Sequence, residues 1–277
     1  MASERLRQAI GSPSQTPEPT MIHPTAIVDP ACQLGAGVRI GPYCVLGPEV
    51  RLGDNCELKS HVNLDGNTTF GANCVVYPFA SIGTLTQDKK FKGGSPGVTV
   101  GEGSTIREYV TINTATYNGD FTQVGKNCLL MGASHVAHDC ILGDGVIVAN
   151  NTAIAGHVII QDAAIVGGVS GIHQFVRMGE LAIIGGCSKV VQDVPPFMMC
   201  DGNPLRVRGI NKVGLERRGD SEAEVRQVLR MYKIIYKENN TMRQAVEIIR
   251  AELEDSRNRR VMLHFLEHES NRGYTRS

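Results

Sequence analysis

The sequence predicts a mainly β solenoid followed by a small helical unit, and three observations predict it. An apolar residue recurs every six positions from Ile22 to Val190, aromatic side chains are scarce, and a helical periodicity begins only after residue 200. Every sixth residue reads Ile22, Val28, Leu34, Ile40 and onward to Ile82, then Val100, Ile106 and Ile112, then Val124 through to Val190 without slippage. Among the in-phase positions only Asp88, Gly94 and Asn118 are not large and apolar. A period of six matches neither an amphipathic helix nor a half-buried strand, so each hexad reads as one rung and three rungs as one triangular coil. The span from Ile22 to Val190 then makes about nine coils, roughly 45 Å of prism at ~4.8 Å per coil. Each coil closes its backbone hydrogen bonds on its neighbours, so stability adds up along the axis. Glycine follows many rungs, as at Gly35, Gly41, Gly47, Gly53, Gly71, Gly101, Gly125 and Gly143, where the chain is expected to turn a corner.

Taken in order, residues 1–20 are polar, carry Pro13, Pro17 and Pro19, and contribute no rung, so a disordered leader is expected there. Its Arg5, Arg7 and serines suit the remnant of an organelle transit peptide, whereas Glu4 and Glu18 favour a solvated tail. Residues 21–200 form the prism, with a polar, glycine-rich excursion over 83–99 that keeps the count of six. A shorter interruption from Asn113 to Gln123 reads as a local bulge. Residues 201–277 form the helical domain. Ser221 with Glu224 makes a capping box ahead of Val225, Val228, Leu229, Tyr232 and Ile235; Thr241 opens a second helix through Leu253; a third carries Val261, Phe265 and Leu266.

Composition limits the partners. Aromatic content is 5 % and tryptophan is absent, as a narrow prism with no room for large rings requires. Formal charge is zero, which excludes a nucleic-acid binder with a basic footprint over the whole chain. The balance is positive in residues 201–277 and negative before them, so an acidic partner would prefer the C-terminal part. No stretch reaches the ~18 apolar residues of a membrane span, and the leader has no secretory apolar run, so the protein is expected to be soluble, cytoplasmic in a bacterium or in the mitochondrial matrix. Six of the eight cysteines, Cys32, Cys44, Cys56, Cys74, Cys128 and Cys140, fall four residues after a rung and read as small packing residues rather than metal ligands or disulfides. Cys187 and Cys200 lie outside that pattern. So many unpaired thiols point to a reducing compartment.

Chemistry is sought where polar residues break the regularity. His135, His138, His157 and His173 fall within 39 residues beside Val136, Ile154 and Ile172, which are eighteen apart and therefore share one side of the prism on consecutive coils. A neutral imidazole is suited to removing a proton from a hydroxyl. Asp139 follows His138 and would hold its imidazolium, although adjacent strand residues normally point to opposite faces. Gly156 presents a backbone N–H unobstructed by a side chain and suited to an oxyanion. With no serine or reactive cysteine beside a histidine, direct attack by the acceptor hydroxyl is favoured over a covalent acyl-enzyme.

The hexapeptide pattern, HVAHDC at 135–140, ANNTAIAGHV at 149–158, GGVSGIHQF at 167–175, QDVPPF at 192–197 and GLERRG at 214–219 resemble the UDP-N-acetylglucosamine O-acyltransferase family, which opens lipid A synthesis. The resemblance runs from about Met21 to the C-terminus. It implies a left-handed parallel β-helix, a homotrimer with active sites between subunits, and acyl carrier protein as partner, the acyl chain arriving as a phosphopantetheine thioester with no further cofactor and no metal. It implies that His138 deprotonates the 3-hydroxyl of the glucosamine, that Asp139 polarises His138, and that Gly156 donates to the thioester oxyanion. His135, His157, His173 and Gln174 would line the sugar and diphosphate. Gln87, Asp88 and Lys90, in the segment TQDKKF, would bind the sugar. Asn211, Arg217 and Arg218 would lie near the uridine diphosphate or the carrier protein, and Gly186 would set acyl-chain length. The chain departs from the family at Asn113-Thr114, commonly His-Arg, and at Val213, commonly acidic.

Two other readings stay open at this point. The gamma-class carbonic anhydrases are related prisms that bind zinc through three histidines, a set His135, His138 and His157 would mimic, although two histidines three apart in a strand face opposite ways. A non-catalytic trimeric scaffold would leave the histidines without a role.

Overall fold

The computed structural model describes residues 19–268 and 270–277, so the leader expected over residues 1–20 lies outside the described residues except for Pro19 and Thr20. Most rungs are two-residue strands with one side chain out and the in-phase apolar one in, as at Arg39–Ile40, Val45–Leu46 and Arg51–Leu52, and those flanking the excursions run to three or four residues, as at Asn67–Phe70 and Gly97–Val100. These strands build three parallel sheets, the faces of the prism. The first face begins with Met21–Ile22, the second with Ile27–Val28 and the third with Gln33–Leu34. The in-phase side chains stack as a single core down the axis, Ile40, Leu58, Val76, Ile106 and Leu130 among them, each nearly or wholly removed from solvent.

Register shows what the excursions are. The usual partner lies eighteen residues on, as for Arg39 with Glu57, but Val75 pairs with Thr105 and Thr105 with Leu129. The first excursion therefore removes two hexads from the prism and the second removes one. These are the hexads of Asp88, Gly94 and Asn118, and together they amount to one coil. The prism has about eight coils, one fewer than the uncorrected span suggests. The segment after Asn113 is a true loop rather than a bulge.

The corners also differ from expectation. Except for Gly83, the glycines just after the rungs do not take left-handed backbone angles; that conformation falls two residues later, mostly on other residue types, Asn55, Asn73, Asn127 and Asn151 among them. A polar side chain that can hydrogen-bond locally tolerates such a turn. The rung-following glycines instead permit close approach of successive coils. A Cβ on Gly53 would lie 2.6 Å from the Ala72 nitrogen, and one on Gly101 2.5 Å from the Gly125 carbonyl carbon. The cysteines do pack inside, and their thiols satisfy corner carbonyls one coil on: Cys44 Sγ donates to Lys59 O at 3.0 Å and Cys128 Sγ to Gly143 O at 3.1 Å. Thr152 makes the same bond to Gly167 O at 2.9 Å. A small side chain is what this position selects: cysteine, serine and threonine add this bond, whereas Val38, Val50, Val62, Ala164 and Ala182 fill it without a donor.

After Lys189–Val190 the chain adds Met198–Asp201 to the first face and folds back antiparallel through Arg206–Ile210, a hairpin absent from the sequence reading. Four helices follow: α1 (Lys212–Arg218), α2 (Glu222–Tyr236), α3 (Met242–Glu252) and α4 (Arg257–Glu267). The expected capping box of Ser221 with Glu224 is present, and Thr241, expected to open the second helix, forms another with Gln244. Helix α4 lies along the third face, where Phe265 sits under the Arg177 guanidinium at 4.7 Å.

Helices and prism are tied by Glu180, which is 9 % exposed and accepts from Arg218 Nη1 at 2.5 Å and Arg257 Nη1 at 2.7 Å. Arg218 also holds Asp220 and Asn258. Replacing Glu180 by Gln leaves these cations without their carboxylate, and we expect unfolding to become easier by about 2 kcal/mol in urea titrations, the scale of a lost charge-assisted hydrogen bond.

Candidate active site

Both excursions leave the prism at the same corner, between the second and third faces, immediately after Ile82 and Ile112. The next three coils carry Asp139, His157 and Phe175 at that corner, each with a left-handed backbone, at φ 60, 60 and 65°. His157 stacks on Phe175 with ring centroids 4.7 Å apart. His138 precedes Asp139 and meets His157 edge to face at 5.2 Å.

The left-handed corner resolves the geometry of His138 and Asp139. The two are not alternating strand residues; the turn at Asp139 brings both side chains to one side, and Asp139 Oδ2 lies 2.7 Å from His138 Nδ1 and 3.5 Å from His157 Nε2. The second loop completes the arrangement through Thr116, whose N–H donates to Asp139 Oδ1 at 2.9 Å and whose hydroxyl donates to Asp139 Oδ2 at 2.6 Å. The same hydroxyl stands 3.1 Å from His138 Nδ1. Burial on its own would raise the Asp139 carboxyl, but the Thr116 hydrogen bonds, the His138 contact and the nearby His157 hold it below the usual carboxylate range. An ionised Asp139 makes His138 Nδ1 the protonated nitrogen and leaves Nε2 with a lone pair.

The first loop reaches the same place. Asp88 offers a carboxylate oxygen within 4.8 Å of ligand atoms on both His138 and His157. Its backbone N–H donates to Thr86 Oγ1 at 3.1 Å, and Thr86 Oγ1 lies 3.4 Å from Thr116 Oγ1. Asn113 and Thr114, where the chain departs from the family pattern, hold the root of this loop: Asn113 Nδ2 donates to Thr84 Oγ1 at 3.0 Å, and Thr114 Oγ1 accepts from Thr86 N at 3.1 Å. Gln87 and Lys90 are exposed on the loop beside Asp88.

Gly156 lies under His138. A Cβ there would meet the imidazole Cε1 at 2.3 Å and Nε2 at 2.5 Å, so the missing side chain is the space the ring occupies. Among the described residues no acceptor takes the Gly156 N–H. Cys140, next to Asp139, is no nucleophile: burial pushes its thiol up to about 12, and its Sγ donates to Ala155 O at 3.1 Å.

The remaining expected residues are placed differently. His135 points out of the second face with Nδ1 2.7 Å from Thr111 Oγ1, its pKa lowered by burial and by His138. It is not in the convergent cluster, so the three-histidine zinc set fails; Asp88 stands where His135 would have to be. His173 and Gln174, one coil on, are held by Arg272 from the C-terminal segment, which bonds His173 Nδ1 and donates to Gln174 O at 2.8 Å. Asn211 and Arg218, expected near the nucleotide or the carrier protein, are engaged within the chain. Asn211 is the buried N-cap of α1, with Oδ1 accepting from Gly214 N and Nδ2 donating to Leu181 O, and Arg218 is committed to Glu180 and Asp220. Arg217 is exposed on α1. Gly186 is exposed at the corner between the first and second faces, away from His138.

Thr86, Thr116 and Arg272 escaped the sequence reading. The only available signal for the two threonines was their place in segments that interrupt the apolar rungs.

Hexapeptide-repeat transferase models match residues 31–66 and 121–156, and a model described as domain 2 of UDP-N-acetylglucosamine O-acyltransferase matches residues 193–275. A protein of Gloeothece citriformis named acyl-[acyl-carrier-protein]–UDP-N-acetylglucosamine O-acyltransferase is 43 % identical over 85 % of this chain and 85 % of its own length. The chain belongs to the UDP-N-acetylglucosamine O-acyltransferase family. A second relative of the same name, from Thermodesulfovibrio yellowstonii, is 42 % identical over 84 % of this chain and 90 % of its own. The Acinetobacter baumannii structure superposes with a TM-score of 0.89 at 41 % identity, covering 92 % of this chain and all of that one. The Arabidopsis UDP-N-acetylglucosamine acyltransferase gives 0.81 at 34 % identity over 92 % of this chain and all of its own. As in this family, the prism is a left-handed parallel β-helix of hexapeptide repeats with a small C-terminal helical domain. Among the described residues no helix is long and apolar enough to cross a membrane.

Proposed function

We propose that the protein transfers an acyl chain from acyl carrier protein to the 3-hydroxyl of UDP-N-acetylglucosamine, the opening step of lipid A synthesis, with His138 as general base. The observation that carries the mechanism is the clamp of His138 Nδ1 by Asp139 and Thr116, which leaves Nε2 proton-free on a ring that shares its corner with Asp88 and His157. Nε2 takes the hydroxyl proton as the sugar oxygen attacks the thioester carbonyl. The Gly156 N–H serves the oxyanion of the tetrahedral intermediate, and the imidazolium returns its proton to the departing thiolate. The ionised Asp139 stabilises the imidazolium between these steps.

The working unit is proposed to be a homotrimer with the site between subunits. Tyr43, His61, Phe79 and Tyr109 form an exposed ladder down the corner between the first and second faces, with centroids 5.0, 4.9 and 5.0 Å apart. In a chain so poor in aromatics, such a ridge is suited to a neighbouring copy. Further along it stand Val169 and Gly186, so a neighbour packed there would bring Gly186 toward the first subunit's His138, at the far end of the acyl chain. The positive C-terminal part, with Arg217 exposed, suits an acidic carrier protein.

The test is an assay of purified protein with UDP-N-acetylglucosamine and a panel of acyl carrier protein thioesters varied in length and 3-hydroxylation. We expect one thioester to be preferred and the product to carry the acyl group on O3 by NMR. No transfer from any thioester would refute the reading.

A further inference from the structure

We infer that Asp88, His138 and His157 form a binding site for a divalent transition cation of the zinc type, and that an ion held there blocks the acceptor site. The inference goes beyond the transferase reading and uses the same corner for a second ligand. Each of the three residues presents one ligand atom, and these atoms lie within 4.8 Å of one another. They come from three separate places, the first loop and two successive coils, so their convergence is a product of the fold and not of a local sequence cluster.

The donor set selects the ion. Two imidazole nitrogens and one carboxylate suit Zn²⁺, Co²⁺, Ni²⁺ and Cu²⁺, whereas Mg²⁺ and Ca²⁺ favour oxygen ligands. Ligand bonds of about 2.0–2.1 Å place two donors of a tetrahedral zinc about 3.3 Å apart, so the atoms must close by at most about 1.5 Å. Asp88 can supply that movement. It sits on the excursion, half-exposed, and only Oδ1 is engaged, accepting from Lys90 N at 2.9 Å. His138 is already arranged as a ligand: Nδ1 is on the Asp139 carboxylate, an arrangement that fixes the ring and strengthens Nε2 as a donor. Asp88 and Asp139 together carry two negative charges against the two of the ion. Three protein ligands leave one position of a tetrahedral ion open. An ion on Nε2 would also occupy the lone pair that the base needs.

The decisive measurement is calorimetric titration of the full chain with Zn²⁺ alone, repeated with Co²⁺ and followed by absorption. One ion per chain is expected, with affinity weakened about tenfold or more in each of Asp88→Asn and His157→Gln, and about 10–100-fold in Asp139→Asn. Asp88 is on an exposed loop, so its variant keeps the fold. Unchanged affinity in Asp88→Asn and His157→Gln would overturn the site, as would a thiolate-to-cobalt band assigning the ion to the exposed Cys187. These readings need no acyl donor and stand whatever the transfer assay gives. In that assay Zn²⁺ is expected to suppress the rate and EDTA to restore it. Undiminished transfer by zinc-loaded protein would overturn the blocking, and with it the role of His138 as base, while leaving the ion site in place.

Discussion

His138→Ala is expected to lower kcat about 10²–10⁴-fold, the usual worth of a positioned general base, with KM for the sugar nucleotide changed far less. The truncation opens no hole in the core, because His138 lies outside the prism at a corner, and circular dichroism and thermal unfolding should be nearly unaltered. In the unsubstituted protein kcat/KM should fall on acidification as the imidazole takes up a proton and loses its lone pair. Asp139 does not contribute to that limb. Its carboxyl is held below the usual carboxylate range, so it stays ionised while the base titrates. The sign for stability follows from the same shift: the contribution of Asp139 to folding is complete above the ordinary aspartate pKa and is lost only as the pH falls through the lowered one. His135, also lowered, adds stability that is complete above the ordinary imidazole value and declines below it, because the unfolded chain then takes a proton the folded chain refuses. Activity and stability should therefore both weaken in acid; His138→Ala removes the activity limb but only part of the stability limb, because the Thr116 hydrogen bonds still hold Asp139 down and burial still lowers His135. A kcat/KM that does not fall on acidification would refute the assignment.

The fold was legible because its repeat is short and strict. One large apolar inward side chain per hexad leaves a period of six, and the three positions that break it mark the residues that leave the prism. The coil count erred for the same reason, since a loop of whole hexads preserves the phase while removing length. Helices α2, α3 and α4 were legible from apolar spacing and their caps; α1 and the hairpin before it were too short to show a period. In the site, the shared side of His138 and His157 followed from counting eighteens, whereas the pairing of His138 with Asp139 did not. Strand alternation argues against that pair, and only the left-handed corner at Asp139 permits it. Thr116 was hidden for a different reason. A threonine in a polar loop has no periodic mark, and its importance comes from the loop leaving at the corner where Asp139 follows. Asn211 and Arg218 show the converse, since polar residues in a recognised segment can be committed to holding a helix and a domain contact.

Gly156→Ala tests the geometry where His138→Ala tests the chemistry. The backbone at Gly156 is not in a conformation reserved for glycine, so the added methyl strains only what lies above it. That is the His138 ring, with Cε1 and Nε2 at 2.3 and 2.5 Å from the new carbon, well inside van der Waals contact. The ring must tilt away by about an ångström, drawing Nδ1 off Asp139 Oδ2 or swinging Nε2 out of the corner. Displacement of that size in a reacting group costs about 10²-fold in rate. We expect kcat to fall by at least that factor, together with weaker Zn²⁺ binding, since both depend on where Nε2 points. The cycle with His138→Ala separates this account from a direct contribution of Gly156. If the glycine acts only by making room for the imidazole, adding Gly156→Ala to His138→Ala should change kcat little, because the ring it displaces is gone. If instead its N–H is also the oxyanion donor and the methyl shifts that backbone, the double variant should be slower than His138→Ala alone. A Gly156→Ala protein with unaltered kcat would show that the ring need not lie where it does, and the clamp by Asp139 and Thr116 would lose its catalytic meaning.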